Sequence, residues 1–62
     1  MSGIFLHKKT RTLYQYIGIA QHTDDVSPMV VYARKFAGTD ILGTIWVRPA
    51  DEFFDGRFEK VS

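Results

Sequence analysis

Cysteine is absent from this 62-residue chain, which excludes disulfide staples and thiolate metal sites and fits a reducing compartment. Long apolar runs are absent too. Near the N-terminus only Ile4, Phe5 and Leu6 stand together before His7, Lys8 and Lys9. That run is too short for a signal peptide or a membrane span, so the expectation is a soluble, cytoplasmic protein. Neither sign of charge is in excess. The net charge is +1, short of the surplus that a dedicated nucleic-acid binder usually carries. Catalytic signatures are missing as well. Ser2, Ser27 and Ser62 lie in a turn or at the termini, with no glycine-rich nucleophile elbow around them. Gly38 and Gly43 match no phosphate cradle, and His7 and His22 with Asp24 or Asp25 lack a short-spaced ligand pair. The sequence therefore predicts no metal and no cofactor, and no feature of it demands an enzyme.

What the chain does have is rings: five Phe, three Tyr and one Trp. Its length suits a single domain spanning residues 1–62. A domain of this size buries only about 60% of the surface its unfolded chain exposes, so large side chains must fill a small core. Self-association, as a homo-oligomer, would add to that burial.

Five segments read as strands. Gly3 to His7 is a short apolar run, followed by the polar loop Lys8 to Thr12. Leu13 to His22 is the longest, with apolar residues on both faces. Gly18 at its middle would let it bend sharply, so that its two halves join different sheets of a small barrel. Thr23 to Pro28 is a turn by composition. Met29 to Phe36 is the third strand, with Val30, Tyr32, Arg34 and Phe36 on one face. Ala37 to Gly43 is a loop whose Ile41 and Leu42 would fold back on the body or meet a partner. Thr44 to Arg48 is the fourth strand, with Ile45 and Val47 on one face and Thr44, Trp46 and Arg48 on the other.

Pro49 then ends the ladder, because it has no N–H to donate, and it suits the start of a helix. Asp51 and Glu52 favour the positive end of the helical turn expected over Pro49 to Asp55. Gly56 stands past its end. Phe53 or Phe54 would plug the core, and Arg57 to Val61 closes the chain as a strand with Phe58 inward. Five antiparallel strands with one helical turn before the last match an all-β, SH3-like five-stranded barrel. An OB-type barrel and an open, curled sheet fit the same pattern.

The pieces GIFLHKK, YQYIGIAQHTDD, VVY and IWVRPADEFF resemble, in order and over most of the chain, the small bacterial proteins of domain of unknown function 1653. Gly3, Phe5, His7 and Lys9 fit its opening. Tyr14, Gly18, Ala20 and His22 fit its long strand, and Val30, Val31 and Tyr32 its third. Trp46, Val47, Arg48, Pro49 and Phe53 or Phe54 fit its tryptophan motif. Thr10 stands where that family tends to have glycine, and Ala33, Arg34 and Lys35 depart from its basic-then-apolar run. The segment between the phenylalanines and Arg57 is shorter. The resemblance implies a fold and a patch but no reaction.

Trp46 reads first as core, since one large ring can be much of a small barrel's interior. Arg48, on the same face, can pair with Asp51 or Glu52, or offer a planar fork to a carboxylate or phosphate. The leading functional expectation is a non-catalytic binding module. It would use an aromatic–arginine patch of His22, Tyr32, Trp46 and Arg48 to take a protein segment, nucleotide or metabolite. The alternative is single-stranded nucleic acid, with bases stacked on Tyr14, Tyr16 or Tyr32 and phosphates tracked by Lys8, Lys9, Arg11, Arg34 and Lys35. A third reading is a small enzyme acting on a nucleotide or metabolite, and no sequence feature demands it.

Overall fold

A computed structural model describes residues 3–62, so Ser2 lies outside the described residues. The order of elements is β1 (Ile4–His7), β2 (Thr12–Gln21), β3 (Pro28–Lys35), β4 (Leu42–Pro49), α1 (Ala50–Phe53) and β5 (Phe58–Lys60). All the strands pair antiparallel in one sheet of order β4-β3-β2-β1-β5. The all-β class, the five strands and the short helix match the expectation. The barrel does not, because β4 and β5 are the two edges and do not pair with each other. The reason lies in the closing strand. β5 has three residues and spends them on β1, while α1 packs on β3 and β4.

The long strand β2 carries a bulge beside Gly18, but both its halves stay in the one sheet rather than joining different sheets as expected. Its register with β3 slips between Tyr16, opposite Tyr32, and Gly18, opposite Val31, leaving Ile17 as the extra residue. The slip changes the faces. Strict alternation would put Ile19 opposite to Tyr14 and Tyr16. The bulge returns it to their side, opposite Val30.

Directly opposed residues share a face, so the register sorts the sheet. The inner face carries Phe5, Tyr14, Tyr16, Val30, Tyr32, Trp46 and Arg48. The core sits there: Val30, Tyr32, Phe53 and Phe58 are buried, with Phe5, Tyr14, Tyr16 and Ala50 packed against them. It is built from rings. Phe53 stacks on Phe58 with centroids 4.3 Å apart, and Tyr32 meets both at 5.2 and 5.6 Å. Of the two candidate plugs Phe53 is the one used, 1% exposed, while Phe54 is 60% exposed. Trp46 is on the predicted face but is not core: it is 50% exposed. The inner face is covered by α1 and the approach to β5, and that cover reaches Tyr32 and stops short of the ring beside it on the edge strand. Ile41 and Leu42 do not fold back either, and both are exposed.

Two backbone positions carry the chain's tight geometry. Gly56 has φ +106° in the turn between α1 and β5, a conformation L side chains rarely adopt. Gly43 sits where a Cβ would lie 3.1 Å from the Cβ of Arg34 and 3.3 Å from the Phe36 ring, beside a second register slip between Ala33 and Lys35. Among the described residues no helix is long and apolar enough to cross a membrane.

Candidate functional site

Arg48 is fixed by its surroundings. Strand β4 sets it opposite Val30, one row from the Tyr32–Trp46 pair. Its Nε donates to the Tyr32 hydroxyl at 3.4 Å, and Nη1 lies 3.7 Å from Glu52 one helical turn on. The guanidinium also stands over the Phe58 ring, 5.7 Å from its centroid. The hydrogen bond to Tyr32, chiefly, and the charges of Glu52 and Asp55 raise its pKa further, against the opposing effect of partial burial. This is a scaffold's network. Among the described residues it supplies the only side-chain hydrogen bond to the hydroxyl of a tyrosine that is itself 5% exposed.

The other predicted patch residues do not converge on Arg48 equally. Tyr32 belongs to the core and shows a ligand almost nothing. Trp46, opposite Tyr32 in the ladder, presents half its surface. His22 stands in the turn after β2, where its Nδ1 accepts from the Asp24 N–H at 3.1 Å and lies 3.6 Å from Asp25. Among the described residues no hydrogen bond, ion pair or ring contact joins His22 to Tyr32, Trp46 or Arg48, and no group of three potential metal ligands converges. Next to His22, Ser27 donates to Asp25 Oδ1 through its hydroxyl (2.8 Å) and its N–H (3.1 Å). These bonds hold the Asp25 carboxyl below its ordinary range.

The cations gather more closely than their sequence positions suggest. The β1–β2 turn brings Lys8, Lys9 and Arg11 to one end of the sheet, and β3 delivers Arg34 and Lys35 to the same end. Arg11, Arg34, Lys35 and Phe36 line one cleft of about 330 Å³. His7, Lys8, Lys9 and Arg57 line another of about 350 Å³. Lys8, Lys9, Arg11, Arg34 and Lys35 make no ion pair with a described residue; Arg57 pairs with Asp55 at 3.0 Å. Lys35 gives its ammonium to the Thr39 carbonyl at 2.6 Å. Arg34 lies over the half-exposed Phe36 ring at 5.0 Å. At the opposite end Asp25, Asp51 and Glu52 line a third cleft of about 400 Å³. A net charge of +1 thus conceals a polarised surface. Sequence reasoning named the five cations but missed Phe36 and Arg57. Phe36 follows the Arg34–Lys35 pair directly and was the available signal; Arg57 joins only through the Lys8 N–H bond to its carbonyl, 3.0 Å, which no spacing announces.

No curated protein and no solved structure is similar to the chain in these comparisons. A family model matches residues 3–60, nearly the whole chain. The chain therefore belongs to the family described as "Protein of unknown function (DUF1653)".

Proposed function

We propose that this protein is a non-catalytic binding module whose ligand is an extended polyanion, single-stranded nucleic acid by its chemistry, taken at the basic end. The observation that carries this reading is the gathering of Lys8, Lys9, Arg11, Arg34 and Lys35, none with an anionic partner among the described residues, around clefts that include Phe36. Cations track phosphates, and an exposed ring already flanked by a guanidinium offers a base a stacking surface. The module is read as non-catalytic because the one serine–carboxylate pair among the described residues, Ser27 with Asp25, has its carboxylate stabilised as the anion and so weakened as a base.

The test is binding of short single-stranded oligonucleotides across a salt series. Four phosphate contacts predict a slope of roughly −3 in log K against log salt. Replacing Lys8 and Lys9 with Gln flattens the slope, and Phe36→Ala weakens binding without changing it. No binding at low salt, or equal binding by the Lys8/Lys9 double variant, removes the reading. The half-exposed Trp46 supports a second one, in which β4 is a contact surface for protein.

A further inference from the structure

The two edges of this sheet are treated differently. β5 is three residues long and carries exposed Glu59 and Lys60, the short, charged form that keeps an edge from pairing. β4 is eight residues long. Its one charge, Arg48, is turned into the network with Tyr32 and Glu52, and its proline is the last residue. Both of its faces bear exposed apolar side chains: Ile45 at 63%, Trp46 at 50% and Val47 at 59%. Its bulge lies near its start, at Gly43 and Thr44, and leaves Thr44 to Arg48 regular; a long, apolar edge with unpaired backbone groups recruits another strand.

We propose that β4 pairs antiparallel with β4 of a second copy of this chain about a two-fold axis, joining two sheets into one. Three observations select a second copy. The first is self-complementarity. With the axis through Trp46, Trp46 faces the partner's Trp46 and Ile45 faces the partner's Val47, so that opposed residues share a face. Arg48 faces the partner's Thr44, so the strand's one charge never meets itself. Pro49, without an N–H, lies past the end of the ladder beside the partner's bulge at Gly43 and Thr44, where it interrupts nothing. Such a pairing is isologous, the commonest closed arrangement.

The second observation is area. Ile41, Leu42, Ile45, Trp46 and Val47 are each about half exposed or more. At large-side-chain areas of roughly 150–250 Å² they offer on the order of 500 Å² per copy. Full burial of that area in two copies would reach about 1,000 Å², an upper bound that meets the size at which a specific interface begins. The third is charge. β4 runs from the basic end, with Lys35 and Arg34, to the acidic end, with Asp51 and Glu52. Antiparallel pairing sets the acidic end of one copy beside the basic end of the other. Asp40 lies at that basic end as well and reduces the gain without reversing it.

Sedimentation velocity from low micromolar to near-millimolar protein tests the proposal, with wild type beside Ile45→Lys and Val47→Lys. Wild type shifts from monomer to dimer, and each lysine, placed at an exposed edge position, weakens the dimer at least about tenfold. A wild type that stays monomeric throughout, including one whose β4 binds only an unrelated peptide, overturns the proposal. So does a dimer that both lysine variants leave intact, because the contact would then lie elsewhere. Far-UV circular dichroism checks that the variants fold. Hydrogen exchange of wild type at two concentrations decides the matter without them: β4 amides become slower at high concentration, and equal β4 rates at both would refute the pairing.

Discussion

Removing the Phe53 ring should do more damage than removing the larger Trp46 ring. Phe53 is 1% exposed and meets Phe58 at 4.3 Å, Phe5 at 5.0 Å and Tyr32 at 5.2 Å. A buried aromatic side chain of roughly 150–250 Å² is worth about 4–6 kcal/mol of apolar burial. Measured truncations of such rings to alanine cost about 3–5 kcal/mol. A domain of this length has a total stability of only about 3–9 kcal/mol. Phe53→Ala therefore leaves the protein near or past its midpoint at room temperature. Phe53→Leu keeps apolar volume and loses mainly the ring stacking, at about 1–2 kcal/mol. Trp46→Ala, from an edge position half in water, costs about 1 kcal/mol or less. Urea unfolding followed by far-UV circular dichroism measures all three at a concentration where the chain is monomeric. A Phe53→Ala loss below about 1 kcal/mol, or a Trp46→Ala loss of 3 kcal/mol or more, would refute this location of the core.

Arg48→Ala strips the Tyr32 hydroxyl of its partner and the Phe58 ring of its cation, for a loss of about 1–2 kcal/mol. Arg48→Lys keeps only the half-exposed pairing with Glu52, itself worth about 0.5 kcal/mol or less. Equal stability of Arg48→Ala and wild type in thermal unfolding would contradict the scaffold role. Val26 holds φ +50° in the exposed turn after β2, a strained left-handed conformation for a β-branched residue. Val26→Gly should stabilise by about 1 kcal/mol, raising Tm by several degrees, and a lower Tm would show that the Val26 side chain is needed there. The Asp25 carboxyl, held below its ordinary 3.8 by the Ser27 hydroxyl and N–H, favours folding above that pH. Its contribution fades as the pH falls from there through the lower folded value. Ser27→Ala should move the Asp25 titration upward in a carboxyl NMR titration, and an unmoved curve would deny the hydroxyl its part.

The strands were legible because each is bounded by something with a local cause. Pro49 cannot continue the ladder, Gly56 takes the positive φ of the last turn, and alternation placed Trp46 and Arg48 on one face. Alternation gives a face but not a depth. Whether Trp46 is covered depends on which strands end the sheet, and that is set by a three-residue β5 choosing β1 alone. The bulge at Ile17 was also hidden, since an apolar residue reads the same on either face. In the site, Glu52 lies four residues from Arg48 across the turn from β4 into α1, a pairing near in sequence, whereas the Tyr32 bond needs two strands in register. The gathering of Lys8 and Lys9 near Arg57 rests on contacts distant in sequence.

The account's central claim is that β4 is an open edge with Trp46 on its surface. The chain has a single tryptophan, so quenching of its fluorescence by acrylamide reports on that residue alone. In dilute solution, and in Ile45→Lys at any concentration, the account predicts quenching close to that of an exposed tryptophan. At high concentration wild type becomes protected as β4 pairs. A tryptophan shielded at every dilution, in wild type and in Ile45→Lys alike, would place the ring inside a closed barrel and contradict the account.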